Sequence, residues 1–144
     1  RLQNIFLFLK EMCNGEIKPW FRKNKTYDLR ARLLSVNGIG PETADSILLY
    51  AGNKPIFVVD AYTRRIFSRL GFFTVDADYQ TIQSCFMKLL PHQSKLFNEY
   101  HALIVEHAKR FCRKKPECGR CVLGGQCLFV KKASTKERSW ELKA

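Results

Sequence analysis

A chain of 144 residues is long enough to bury a core without a disulfide framework, and its 25 Lys and Arg against 13 Asp and Glu leave a formal charge of +12. That imbalance favours polyanionic partners, because each phosphate neutralised by a side chain releases condensed counterions. The longest apolar runs, such as Ile5 to Leu9, are far too short to cross a bilayer, and no charged leader with a cleavage site precedes them, so a cytoplasmic protein without membrane contact is expected.

Residues 2–13 place Leu2, Ile5, Phe6, Leu9 and Met12 at three- and four-residue spacings, the mark of a helix with one buried stripe, and Asn14-Gly15 ends it. The chain starts at Arg1 without an initiator Met, so further material upstream is expected. A basic loop with Pro19 and Trp20 leads to a second helical pattern, Tyr27 to Val36, with Leu29, Leu33 and Leu34 on one face. Asn37-Gly38-Ile39-Gly40 breaks it, Pro41 suits a first helical position, and a third helix carries Ala44, Ile47, Leu48 and Ala51 to Gly52-Asn53.

The apolar stretch 55–59 is too short for a convincing strand and reads as a buried connector; Asp60 then caps a helix from Ala61 to Leu70. Asp76 or Asp78 caps another helix that stops at Pro91. The longest helix runs from Ser94 to Phe111, with Leu96, Tyr100, Leu103, Ile104, His107 and Phe111 on one side. The class is all-α. The division expected is 1–54, a helical lobe with the hairpin at 33–51; 55–128, a second helical lobe; and 129–144, a polar and loosely held tail.

Two glycines bracketing one apolar residue let the backbone turn tightly between helices. Ile39 plugs the gap, and the amides opening the next helix point outward, where the helix dipole favours a phosphate. Asn37, Gly38, Ile39, Gly40 and Thr43 are thus candidate DNA contacts, the alternative being an ordinary αα-hairpin.

Leu34, Val36, Gly38, Ile39, Gly40 and Ala44 together resemble the helix-hairpin-helix of the endonuclease III superfamily of DNA glycosylases. Farther on, Phe57-Val58-Val59-Asp60-Ala61-Tyr62-Thr63-Arg64-Arg65 resembles the segment that ends in the family's catalytic aspartate. The resemblance implies that Asp60 is the catalytic carboxylate, stabilising oxocarbenium charge on the sugar while orienting water. From spacing alone Asp60 reads first as a plain N-cap, and the two roles are compatible.

Bifunctional members carry a lysine two residues after the second hairpin glycine, where this chain has Glu42. A carboxylate cannot form an imine, so a monofunctional glycosylase is expected, one that needs a good leaving group such as a cationic alkylated purine. Gly-Ile-Gly-Pro-Glu-Thr-Ala-Asp with Val-Val-Asp is similar to the 3-methyladenine branch; Glu42 is a possible pocket residue or a first-turn complement to the helix dipole, and Lys54 is the nearby amine that would serve a lyase.

Cys112, Cys118, Cys121 and Cys127 form C-x5-C-x2-C-x5-C. Spacing alone leaves zinc and a [4Fe–4S] cluster open, since both take four thiolates. The run from Tyr100 through Cys121 is similar to the family's cluster loop, whose first gap is usually one residue longer, and this implies the iron–sulfur cluster. In the zinc reading His101 and His107 are further candidate ligands; otherwise they are core histidines, and the isolated Cys13 and Cys85 are core residues.

Eight Lys and Arg against one acid lie between Lys109 and Lys132, which makes Arg113, Lys114 and Lys115 candidate phosphate contacts or simply a solvated loop. Trp20, Phe21, Phe72 and Phe73 are either core or base-stacking residues.

The implied function is a monomeric base-excision-repair glycosylase acting on double-stranded DNA with a damaged base, around a bacterial or archaeal nucleoid. Its alternatives are an endonuclease III-like glycosylase and abasic-site lyase on oxidised pyrimidines, a non-catalytic helix-hairpin-helix module, and a zinc-stabilised adaptor. The resemblance covers about residues 27–128, and the family's preceding helices are not in this chain.

Overall fold

The structure, a computed structural model, describes residues 2–133. It is all-α, with no strand among the described residues: α1 (Leu2–Cys13), α2 (Ile17–Lys23), α3 (Thr26–Leu34), α4 (Pro41–Ser46) continued by a π-helical turn (Ile47–Ala51), α5 (Ala61–Leu70), α6 (Tyr79–Leu89) and α7 (Ser94–Arg110). Two 3-10 turns (Cys118–Arg120 and Gly124–Gln126) follow, and residues 128–133 are helical. Among the described residues no helix is long and apolar enough to cross a membrane. Most of the tail assigned to 129–144 lies outside the described residues.

Asn14 and Gly15 take left-handed conformations at the end of α1, with φ 45° and 85°. The basic stretch expected to be a loop is instead α2. Pro19 lies in its first turn, where a missing N–H costs nothing, so the proline does not exclude a helix. Trp20 and Phe21 on α2 are 7% and 3% exposed, which makes them core and removes them as base-stacking candidates.

Past Pro41 the helix tightens and then widens: the Gly52 amide reaches the carbonyl of Ile47, a π-type bond of 3.0 Å. A side chain at Gly52 would lie 2.7 Å from the Phe21 ring and 2.8 Å from the Leu48 carbonyl, so this closure requires glycine.

The described chain divides into two compact units that interleave in sequence, rather than the consecutive stretches read from the sequence. The first takes residues 2–58 and 83–101. Its buried core includes Leu29, Leu33, Leu48, Leu49, Phe97 and Phe57, whose ring stacks on Phe86 at 4.1 Å and meets Phe97 edge-on at 5.6 Å. Truncating such an aromatic to alanine costs roughly 3–5 kcal/mol, so the connector is an anchored core segment rather than a passive link.

The second unit takes residues 59–82 and 102–133, with Val59, Thr63, Ile66, Ile82, Ile104 and Ala108 buried. Asp78, not Asp76, caps α6: its carboxylate accepts the Thr81 amide at 2.7 Å and the Thr81 hydroxyl at 3.0 Å. On α7 the buried positions are Phe97, Ile104 and Ala108, while Leu103 is 59% exposed. The expected face was displaced by one residue because Leu103 and Ile104 both fit a helical stripe.

Candidate functional site

The hairpin is built as its sequence requires. Gly38 adopts φ +91°, a left-handed conformation that a Cβ would strain, and Ile39 turns inward at 9% exposure. The Ile39 amide donates to the Val36 carbonyl at 3.0 Å, and the Ala44 amide to the Gly40 carbonyl at 2.9 Å, closing the corner. Asn4 of α1 donates to the Asn37 carbonyl at 3.0 Å and braces the corner from behind.

Asn37, Gly38, Gly40, Glu42 and Thr43 are all exposed. A Cβ at Gly40 would meet nothing within 4 Å, so the space above this glycine is open to a partner approaching from outside.

Beneath the hairpin lies a feature that sequence reasoning missed. Asp45 of α4 is fully buried and receives the Arg30 guanidinium of α3 on both oxygens, at 2.7 and 3.1 Å. Gln83 completes the arrangement, its amide donating to Asp45 Oδ2 and to the Phe57 carbonyl, each at 2.7 Å. The helices flanking the corner are thereby held by a satisfied buried ion pair, and the only sequence signal was an acid beside the apolar Ala44.

Lys54, the alternative amine, donates to the Asn24 carbonyl at 2.8 Å. His101 shares a 2.5 Å hydrogen bond with Tyr50, so its ring is engaged within the first unit.

Asp60 falls in the second unit. It is the N-cap of α5, partly exposed, and its Oδ1 accepts the Thr63 amide at 2.7 Å and the Thr63 hydroxyl at 2.9 Å. Its position is set from both sides, because Val59 before it and Thr63 after it are buried. Arg64 donates to the Ala77 carbonyl, and Arg65 Nε to the Cys112 carbonyl at 2.7 Å, so one face of α5 reaches the cysteine segment.

In that segment all four cysteines are partly buried and none is in a disulfide. The Cys118 thiol is pushed up by burial first and then by Cys127, Cys121 and Cys112, with Arg69 opposing, so the four sulfurs feel one another's charge. His107 Nε2 lies 3.5 Å from Cys121 Sγ, and burial holds this imidazole below its ordinary value. Among the described residues no three Cys, His, Asp or Glu side chains are already set around one point as a single metal ion requires.

Arg113 is paired with Glu117, which also faces Arg120 at 3.7 Å, while Lys114 and Lys115 are exposed. Phe72 is 69% exposed and Phe73 intermediate, both lining a cleft of about 490 Å³ with Arg69, Leu128 and Phe129.

No family model matches the chain. It is 50% identical over 128 residues to a protein of Methanocaldococcus jannaschii whose name assigns it provisionally as a DNA repair glycosylase, covering 89% of this chain and 58% of that protein. It is 33% identical over 102 residues to the endonuclease III of Sulfolobus acidocaldarius, covering 70% and 45%. Among solved structures it is similar to an endonuclease III trapped as a covalent intermediate with DNA, with a TM-score of 0.74, 25% identity, and coverage of 92% of this chain and 58% of that one. The chain thus spans about half the length of the curated relatives it matches.

Proposed function

We propose that this chain, a member of the endonuclease III superfamily, is part of a DNA glycosylase that excises a damaged base from double-stranded DNA, using Asp60 as the catalytic carboxylate. The observation that carries this reading is the Asp60 carboxylate held by Thr63 at a partly exposed helix start. Fixed there, it is suited to stabilise positive charge on the sugar of an extruded nucleotide and to orient the attacking water. The exposed corner Asn37–Gly40, with Thr43, is the phosphate grip, and Lys114 and Lys115 with Arg113 add contacts to the backbone.

Glu42 stands where bifunctional relatives carry the amine nucleophile, so the reaction proceeds by water and ends at the abasic site. Hydrolysis without an amine favours bases that leave readily, which makes alkylated purines such as 3-methyladenine the preferred substrates. A second reading is an endonuclease III-like enzyme, in keeping with relatives named endonuclease III; it would excise oxidised pyrimidines with strand cleavage, and Lys54 is the amine it would use. Borohydride trapping on abasic DNA, alongside excision from a panel of alkylated and oxidised bases, separates the two.

Cys112, Cys118, Cys121 and Cys127 are the residues that would hold a [4Fe–4S] cluster, with zinc as the second candidate. Three thiols close enough to perturb Cys118, together with Cys118 itself, are a suitable donor set for either. When bound, the group staples the basic loop. Protein-bound iron with visible absorbance supports the cluster, and colourless zinc-loaded protein refutes it. The protein acts as a monomer, in the cytoplasm and on the chromosome.

A further inference from the structure

Arg69, near the end of α5, is engaged on every side. Its Nη1 donates to Cys112 Sγ at 3.2 Å and to the Arg113 carbonyl at 2.7 Å, and its Nη2 donates to the Lys114 carbonyl at 3.1 Å. Its own carbonyl accepts the Cys127 thiol at 3.3 Å, and its guanidinium lies over the Phe129 ring at 4.9 Å. One residue therefore touches the first and the last cysteine of the segment and two consecutive carbonyls of its basic stretch.

We propose that Arg69 is a positioning residue that fixes the backbone of Arg113 and Lys114 against the cysteine site, so that the Lys114 side chain is presented to DNA. The planar fork suits this task, since its two terminal nitrogens direct their donors to the sulfur and to both carbonyls in a fixed geometry. Nothing in the sequence marks it, because Arg69 is separated from the loop by more than 40 residues. The inference rests on the proposed reading of the loop as a DNA contact, and the test keeps the two apart.

The test is a double-mutant cycle on the full chain, with affinity for an undamaged duplex measured across a salt series and iron per chain measured in parallel. Lys114→Gln should weaken binding and lower the salt slope by about one. Arg69→Met should do the same although it removes no group that touches DNA, and the double variant should bind no more weakly than the worse single variant. Arg69→Lys keeps the charge, should retain iron, and should still bind more weakly than wild type because a single ammonium does not reproduce the two nitrogens that hold the two carbonyls.

Additive losses in the cycle overturn the proposal, as does wild-type affinity in Arg69→Lys. Should Arg69→Met fail to fold, the lysine variant decides alone. A Lys114→Gln protein with wild-type affinity and slope refutes the loop as a DNA contact, while wild-type protein without iron refutes only the cluster.

Discussion

Thr63 gives both its backbone amide and its hydroxyl to a single oxygen of Asp60, at 2.7 and 2.9 Å. The two bonds separate what holds the carboxylate in place from what the carboxylate does. Thr63 is fully buried, so Thr63→Val preserves shape and the amide bond while deleting the hydroxyl bond. The loss of one such bond costs about 1–2 kcal/mol. Chemical denaturation should report that loss, and single-turnover excision should fall by a small factor rather than vanish.

The hairpin makes its own demand on the backbone. Gly38 at φ +91° lies where an L side chain is strained, so Gly38→Ala should cost about 1 kcal/mol or more, read as a lower denaturation midpoint. Duplex affinity should fall with it, because the strain sits in the corner proposed to receive the phosphate. A variant with unchanged affinity would remove the corner from the interface.

Asp45 has no access to solvent, and Arg30 and Gln83 reach it from separate segments. Asp45→Ala removes the buried carboxylate to which both Arg30 and Gln83 donate and should destabilise the protein by roughly 3–5 kcal/mol. Replacing the whole pair, Arg30→Met with Asp45→Leu, should recover much of that loss in the same denaturation assay.

Cys112→Ser should lower bound iron and visible absorbance in the purified protein while Cys13→Ala leaves both unchanged, since Cys13 is a buried side chain of α1. Equal iron in the two variants would show that the clustered thiols are not the ligands.

The parts of this protein legible in its sequence are those set by neighbours along the chain. The cap at Asp60, the tight glycine turn at 38–40 and the helix Ala61–Leu70 each depend on a short run of consecutive residues, and each stands where its pattern puts it. The α2 helix was hidden because Pro19 resembles a loop residue unless its place in the first turn is known. The buried face of α7 was misjudged because Leu103 and Ile104 are equally apolar, and only packing decides which turns inward. The Arg30, Asp45 and Gln83 arrangement joins three distant positions, and no local pattern announces it.

The proposed chemistry rests on the charge of the Asp60 side chain. Asn is as good an N-cap as Asp, so Asp60→Asn keeps the start of α5 and isolates that charge. Single-turnover excision of 3-methyladenine from a duplex by the full-length protein, measured with duplex affinity on the same sample, is the direct test. The predicted result is a rate reduced by about two orders of magnitude or more with affinity unchanged; an Asp60→Asn variant that excises at the wild-type rate would contradict it.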